Sequence, residues 1–282
     1  MQTTTTMSTR YPTPVTPNQT RIGWIGIGVM GGAMASRLIS AGYAVTIYAR
    51  SPSKATSLLS QGAHLASSPA DLAVISDVVF TMIGHPSDVK HVVLDTLLPS
   101  VNPNTVIIDH TSSHPALARR IYDSALSSNA ILLMPLCREA TYMGGPGKGQ
   151  SCKIANQITV GANLVGLSEG LVFAEKAGLD QGKFIDAVRG GAAGSMVMEL
   201  FGDRMIKRDF RPGGFAQYMV KDLGLGVDVD VEEGDENNAM VLPGAGLSKQ
   251  LFSGMVANGD DKLGTQGIIT VIERINGKLD KY

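Results

Sequence analysis

Three glycines spaced as G-x-G-x-x-G, Gly26, Gly28 and Gly31, are the first residues in this chain whose spacing could serve chemistry. They follow the apolar run 22–25 and precede a segment compatible with a helix. A strand, a glycine turn and a helix start in that order are typical of dinucleotide binding. The first glycine permits a tight turn, the second lets the backbone approach a pyrophosphate, and the third allows close packing. The phosphates would accept hydrogen bonds from the free N–H groups of the helix start.

This glycine turn is the predicted cofactor-binding loop. Glycine turns also form for backbone reasons alone, so the motif by itself is weak evidence. A second apolar run, residues 44–49, follows at the spacing of a βαβ unit and favours the cofactor interpretation. The loop residues are Gly26, Ile27, Gly28, Val29, Met30 and Gly31.

The loop after the second predicted strand bears on which dinucleotide is bound. An NAD-binding protein places an acidic residue about twenty residues after the glycine turn, where it holds the ribose 2′-hydroxyl. No Asp or Glu precedes Asp71 in this chain, and the loop carries Arg50, Ser51 and Lys54 instead. Cations and a hydroxyl suit a 2′-phosphate, so the sequence favours NADP, with NAD as the alternative. The other interpretation, that these are ordinary solvated loop residues, stays open.

Apolar runs after the glycine turn alternate with helix-like segments, which predicts an α/β fold with a Rossmann-type, doubly wound parallel sheet. The predicted strands are residues 44–49, 63–66, 78–83 and 105–109. The predicted helices are residues 53–61, 69–75, 87–97 and 115–127. Because ligands bind beyond the carboxyl ends of such strands, residues 82–88 and 109–113 should face the cofactor. The alternative is a role in loops and helix caps, with Ser112 or Ser113 as the cap.

The pattern changes at the glycine-rich stretch 144–149, which predicts a joint followed by a long helix over residues 150–177. Further helices are predicted over 181–189, 195–207, 215–229, 247–258 and 264–275, with a polar loop at 232–238. The predicted domains are a disordered arm at 1–20, a Rossmann domain at 21–147, and an all-helical substrate and dimerisation domain at 148–282. Several helices are apolar on more than one face, which indicates a homodimer or a higher homo-oligomer.

Composition argues against several classes of protein. The net charge of −1 gives no basis for a nucleic-acid or anionic membrane partner. No apolar run reaches the roughly 18 residues of a membrane span. Two cysteines in 282 residues are too few for a disulfide framework and fit a reducing, intracellular compartment, and no metal site is predicted. Residues 1–20, rich in Thr and Pro without an acidic residue, predict a solvated tail or a transit peptide.

Four stretches together resemble the 3-hydroxyisobutyrate dehydrogenase group of β-hydroxyacid dehydrogenases, which is related to 6-phosphogluconate dehydrogenase. They are the glycine turn, residues 109–113, residues 149–157 (GQSCKIANQ) and residues 215–223 (FAQYMVKDL). The third stretch is the most specific, because a G-x-x-x-K-x-x-N pattern that opens the helix after the joint is the catalytic signature of that family. In order and spacing the four stretches cover nearly the whole chain after residue 20.

The resemblance implies that Lys153 is the catalytic acid/base and that Asn156, with Gln157, orients the substrate. The implied substrates are small 3-hydroxy acids or the matching semialdehydes, and the implied location is mitochondrial, with the cytoplasm as the alternative. Lys221 is expected to reach the cofactor and Ser112 the nicotinamide. Further positions that match cofactor-lining residues of the family are Ile83, Gly84 and Asp88.

The chain departs from the family between residues 129 and 143. Members of the family place there a strand, a Ser-Gly-Gly loop that holds the substrate carboxylate, a helix and further strands. A βαβ unit needs about 30 residues or more, so it does not fit. One strand at 130–134 and another at 140–143 are the most that the sequence predicts. A protein that binds the cofactor without catalysing turnover is therefore the alternative function.

Overall fold

The computed structural model describes residues 15–133, 142–227 and 240–278. These residues form two compact units. The first unit comprises residues 15–83, 89–110 and 121–133, and the second comprises residues 84–88, 111–120, 142–227 and 240–278. Residues 1–14 of the predicted arm, the predicted polar loop at 232–238 and Cys137 lie outside the described residues.

The first unit is built on a six-stranded parallel sheet. Its strands are β1 Arg21–Ile25, β2 Ala44–Tyr48, β3 His64–Leu65, β4 Val78–Thr81, β5 Val106–Asp109 and β6 Ile131–Leu133. They lie in the order β3-β2-β1-β4-β5-β6, so the chain reverses its direction of winding between β1 and β4. Strands such as β1 and β4 read as continuous apolar runs because both faces of a doubly wound sheet are covered by helices. The predicted fold class is confirmed.

The helices between residues 29 and 127 follow the predicted segments closely. They are α1 Val29–Ser40, α2 Thr56–Ser60, α3 Pro69–Val74, α4 Pro86–Val89 and α5 Pro115–Ser127. A 3₁₀ turn, Pro52–Ala55, leads into α2, and α4 continues as a π-helical segment over Lys90–Leu97. Proline opens α3, α4 and α5 because its missing N–H is not needed in a first helical turn.

The described secondary structure of the second unit is helical, as predicted, apart from an isolated bridge between Phe215 and Gly264. Its helices are α6 Lys148–Lys176, α7 Gln181–Val188, α8 Met196–Ile206, α9 Ala216–Val227, α10 Pro243–Ala257 and α11 Ile269–Ile275. The 29-residue α6 runs through the centre and packs against every one of the others. Length and composition alone would allow α6 to cross a membrane. Leu164 and Leu171 in its core-facing row have no exposed surface, which accounts for the apolar composition by burial in this unit.

Two local predictions were wrong. The cap of α5 is neither Ser112 nor Ser113: the Nδ1 atom of His114 accepts a hydrogen bond of 3.2 Å from the N–H of Ala116. The predicted strand at 140–143 is absent from the part of it that the structure describes, because Tyr142 and Met143 are exposed and form no strand. A strand there would need a neighbour for its backbone groups, and in the described residues the sheet ends at β6.

Candidate active site

The glycine turn has the geometry that a dinucleotide site requires. Gly26 adopts a φ of 94°, which side chains rarely tolerate, and a Cβ atom there would collide with the carbonyl oxygen of Met82. A Cβ atom at Gly31 would collide with the carbonyl oxygen of Gly26. The fold of this unit therefore explains two of the three glycines without any ligand.

Gly28 is different, because a Cβ atom at that position would meet no atom of the protein within 4 Å. Gly28 is the N-cap of α1, where no side chain caps the helix and no acidic residue stands in the first turn. Free N–H groups and the positive end of the helix thus face open space, with Val29 and Met30 half exposed beside them. These residues fit a pyrophosphate, because a backbone without a side chain allows the phosphate oxygens to come close to its N–H groups.

The side chain of Trp24 is hydrogen-bonded to the glycine turn, a contact that the motif does not predict. Its Nε1–H donates a 3.1 Å hydrogen bond to the carbonyl oxygen of Gly26, and only 1% of the residue is exposed. Its ring stacks on Phe80 of the neighbouring strand, and the ring of His110 after β5 continues the stack. Trp24 is the only tryptophan in the sequence, which was the one signal that could have drawn attention to it.

Arg50, Ser51 and Lys54 lie on the loop beside the glycine turn. β1 and β2 are parallel neighbours with Ile25 level with Tyr48, so the segments that follow these two strands emerge at the same edge of the sheet. All three predicted residues are exposed, and the N–H of Lys54 donates to the carbonyl oxygen of Ser51 to open the 3₁₀ turn. The predicted 2′-phosphate residues are therefore grouped next to the predicted pyrophosphate site.

The remaining cofactor candidates divide between the two units. Ile83 belongs to the first unit, where its Cγ2 atom would lie 3.1 Å from a Cβ atom at Gly26. Gly84, Asp88 and Ser112 belong to the second unit. A Cβ atom at Gly84 would lie 3.2 Å from the hydroxyl of Tyr218, so the aromatic ring of α9 packs directly against this glycine.

Lys153 lies in the second turn of α6 and is partly buried. Its Nζ atom donates a 3.1 Å hydrogen bond to the Oε1 atom of Gln157, one helical turn further on. Burial lowers the pKa of Lys153 below its ordinary value, the charge of Lys221 lowers it further, and the charge of Asp222 opposes both. An amine with a lowered pKa gives up its proton more readily than an exposed lysine does, so more of it is neutral at a given pH.

Gln157, rather than Asn156, is the direct partner of the lysine, as expected for residues four apart on a helix. The Oε1 atom of Gln157 also accepts a 3.0 Å hydrogen bond from the Nδ2 atom of the exposed Asn156. On its other side the Nε2 atom of Gln157 donates a 2.6 Å hydrogen bond to Asp222 of α9. Sequence reasoning singled out both amides and missed Asp222, although it follows Lys221 in the quoted stretch.

Lys221 is held by two groups. Its Nζ atom donates a 2.8 Å hydrogen bond to the carbonyl oxygen of Ser112 and lies 2.8 Å from the Oδ1 atom of Asp222. The ring of Tyr218 lies 6.0 Å from the same nitrogen, within cation–π range. Lys221 and Ser112, predicted separately as cofactor contacts, are therefore bonded to each other.

Gln150 completes this arrangement and was not predicted. It is buried in the first turn of α6, where its Oε1 atom accepts from the N–H of Ser113 at 3.1 Å and its Nε2 atom donates to the carbonyl oxygen of Thr111 at 2.9 Å. These bonds span 37 and 39 positions of sequence. The turn 111–113 is thereby fixed to α6 at its first and last residues and to α9, through Lys221, at its middle residue.

The strand order, the glycine turn and the buried lysine define the class of a nicotinamide-dinucleotide oxidoreductase with a Rossmann-type unit and a helical unit. No cluster of three or more metal-binding side chains occurs in the described ranges.

Comparison with known proteins gives the family. Residues 21–135 match the NAD-binding domain of 6-phosphogluconate dehydrogenase, and residues 147–272 match the NAD-binding domain of NADP-dependent 3-hydroxyisobutyrate dehydrogenase. The probable 3-hydroxyisobutyrate dehydrogenase-like protein 3, mitochondrial, of Arabidopsis thaliana is 48% identical, with 97% of this chain and 93% of that protein covered. The 2-hydroxy-3-oxopropionate reductase of Escherichia coli is 30% identical, with 92% and 99% covered.

A solved structure shows the same fold. Mycobacterium tuberculosis 3-hydroxyisobutyrate dehydrogenase with L-serine superposes with a TM-score of 0.76 at 21% identity, covering 90% of this chain and 99% of that one. The chain belongs to the family of 3-hydroxyisobutyrate dehydrogenase-like proteins, which are NAD(P)-dependent oxidoreductases acting on CH–OH groups.

The alignment with the relative from Arabidopsis thaliana spans 308 positions, whereas this chain has 282 residues, so at least 26 aligned positions have no residue here.

Proposed function

We propose that Lys153 is the general acid/base in the interconversion of small 3-hydroxy acids and their semialdehydes with NADP. The observation that carries this proposal is the partly buried amine of Lys153, bonded to Gln157 and flanked by Lys221 and Asp222. Bound NADP would accept or supply the hydride. The protein must then move the hydroxyl proton, and the Lys153 amine accepts it in oxidation and returns it to the carbonyl oxygen in reduction.

The other predicted residues have supporting roles in this proposal. Asn156, exposed beside the lysine, orients the substrate together with Gln157. The glycine turn 26–31 and Ile83 hold the pyrophosphate and adenosine, and Gly84, Asp88, Ser112 and Lys221 line the nicotinamide side. Residues 21–147 act as the cofactor domain and residues 148–282 as the substrate and dimerisation domain.

We also propose that NADP is preferred over NAD. The support is the grouping of Arg50, Ser51 and Lys54 beside the glycine turn and the absence of any acidic residue before Asp71 in the sequence. An Arg50→Asp variant should reduce the ratio of NADPH affinity to NADH affinity by about tenfold, since it replaces a charge that favours the 2′-phosphate with one that repels it. Titration with both dinucleotides measures this, and an unchanged ratio would contradict the preference.

The assembly and the location belong to the same proposal. One face of α6 exposes a row of small residues that ends in Phe173, of which 72% is exposed. Such a face would be covered in a homodimer or a higher homo-oligomer. Three relatives from Arabidopsis thaliana are named mitochondrial, and the acid-free start of this chain fits import, so we propose a mitochondrial protein.

The shortened segment gives a second candidate function. Each charge-assisted hydrogen bond from the missing loop to a substrate carboxylate would contribute about 1.5–3 kcal/mol. Loss of two or three such bonds could lower transition-state binding by on the order of a hundredfold or more. We therefore expect impaired turnover, and a protein that binds NADPH without turnover is the alternative.

One experiment separates these two functions. NADPH oxidation is followed with methylmalonate semialdehyde, tartronate semialdehyde, succinic semialdehyde and glyoxylate, while NADPH binding is measured in parallel. The enzyme proposal predicts turnover that falls at least about a hundredfold in Lys153→Ala, with NADPH binding kept. The matched control is Lys148→Ala at the exposed start of α6, which should keep full activity. Tight NADPH binding with no turnover of any aldehyde would favour the alternative.

A further inference from the structure

The side-chain amide of Gln157 bonds to two groups, one through its nitrogen and the other through its oxygen. Its Nε2 atom faces Asp222, and its Oε1 atom faces the amine of Lys153. Asp222 is 6% exposed and pairs with Lys221, so it is a carboxylate that can only accept hydrogen bonds. The NH₂ group of Gln157 must therefore point to Asp222, which leaves its oxygen pointing to Lys153.

This orientation determines where the lone pair of a neutral Lys153 amine points. A neutral amine has two hydrogens and one lone pair. When the oxygen of Gln157 faces the amine, one N–H of the amine donates a hydrogen bond to that oxygen. The lone pair then stays free to accept a proton. If the amide were reversed, its NH₂ group would donate to the lone pair, and the amine could then not accept a proton from the substrate.

We propose that Asp222 is a positioning residue that acts through Gln157 to keep the lone pair of Lys153 available for the substrate hydroxyl. The inference rests on the proposed function of Lys153. Asn156 cannot replace Asp222 in this role, because its own amide can reverse and follow Gln157 in either orientation. Asp222 is thus the one partner of the Gln157 amide, among the side chains bonded to it in the described ranges, that accepts only.

The charged surroundings of Lys153 allow this effect to be separated from simple charge. Lys221 and Asp222 of α9 are the charged groups that act on its pKa. α10 also packs against α6 and carries Lys249 as its only charged residue, and on α6 itself the nearest charged residues are Lys148 and Glu169. Removal of the Asp222 charge alone would lower the pKa of Lys153 but would leave a free lone pair at high pH.

The test measures the pH profile of kcat for alcohol oxidation in Asp222→Asn. The new amide can face Gln157 with either end, so the orientation is no longer imposed. We expect the high-pH plateau of kcat to fall about tenfold. In a Gln157→Met background no amide remains to reverse, so Asp222→Asn should leave the plateau unchanged. The same loss in both backgrounds would overturn the proposal, as would an unchanged plateau in the single variant.

A further measurement keeps the proposal testable. NMR titration of the Lys153 side chain needs no turnover. In this titration, Asp222→Asn should lower the pKa of Lys153 in both backgrounds, but by about one pH unit more in the wild-type background than in Gln157→Met. The difference arises because the wild-type background keeps the Gln157 amide, which can reverse and donate to the lone pair of the neutral amine. Equal shifts would refute the inference.

The proposed function and this inference fail differently. If Lys153→Ala keeps full turnover, Lys153 is not the acid/base and the proposed function is wrong. If Lys153→Ala abolishes turnover while Asp222→Asn has the same effect in the wild-type and Gln157→Met backgrounds, only the positioning role of Asp222 is wrong.

Discussion

Gly28 is the residue at which an effect on cofactor binding can be separated most clearly from an effect on folding. Its missing side chain would touch nothing in the protein, whereas the missing side chains of Gly26 and Gly31 would collide with backbone oxygens. The chain therefore has a ligand-independent reason for two glycines and none for the third.

A Gly28→Ala variant should weaken NADPH binding about tenfold or more, because the added methyl group stands where the pyrophosphate approaches the backbone. The thermal midpoint of the free protein should fall by no more than about 4 °C, since an alanine at this N-cap costs up to about 1 kcal/mol relative to glycine. Quenching of the fluorescence of Trp24 measures the affinity. Gly31→Ala is the control and should lower the midpoint strongly. Unchanged affinity in Gly28→Ala would refute the assigned pyrophosphate site.

The proposed role of Lys153 as the acid/base predicts how catalysis depends on pH. Burial lowers the pKa of its amine below the ordinary value of 10.5. Oxidation needs the neutral amine, so kcat for oxidation should rise with pH and level off above that lowered pKa. Reduction needs the ammonium, so kcat for reduction should fall over the same range. Rate profiles in the two directions check this, and profiles that bend in the same direction would rule out one shared acid/base.

At the scale of elements, the turn 111–113 is held between two helices. Gln150 fixes it to α6, and Lys221 fixes it to α9 through the carbonyl oxygen of Ser112. The side chains of these helices thus determine where this turn, which we propose lines the nicotinamide side, lies in the second unit.

A Gln150→Leu variant tests this arrangement. It removes the acceptor of the buried Ser113 N–H, which should cost about 1–3 kcal/mol of the free energy of unfolding. It should also raise KM for NADPH, because Ser112 is no longer positioned. Gln150→Glu keeps the acceptor and loses the donor, so its effects should be intermediate. Denaturant melts and initial rates measure both quantities, and wild-type values in Gln150→Leu would contradict the assigned role.

The elements themselves could be predicted from the sequence because their signals are local. Buried parallel strands such as β1 and β4 appear as short apolar runs, and α6 appears as a long apolar segment after a glycine joint. The bonds of Gln150, the hydrogen bond from Trp24 to the turn and the pairing of Gln157 with Asp222 could not be predicted. Each depends on tertiary placement of side chains, and the Gln150 and Gln157 bonds join residues 37 to 65 positions apart. The helices and strands were thus foreseen better than the side-chain contacts that join them.

At the scale of the whole molecule, the exposed face of α6 determines the expected assembly. Ala155, Thr159, Ala162 and Gly166 share this face with Phe173, and all of them are exposed in the single chain. Ala162→Arg places a long charged side chain at its centre and should convert a dimer into a monomer that remains folded. The control is Ala187→Arg on the exposed face of α7. Light scattering after size exclusion measures the mass, and an unchanged dimer in Ala162→Arg would place the interface elsewhere.

The end of the sheet has a consequence for solubility. Among the described residues β6 is the last strand of the sheet; it has only three residues, Ile131–Leu133, and it pairs with β5 in parallel. A strand of this length leaves few unpaired N–H and C=O groups with which a strand of a neighbouring molecule could pair. Short edge strands are one way in which natural sheets avoid pairing edge to edge. An edge of this length is therefore expected to offer little template for edge-to-edge association between copies of this chain.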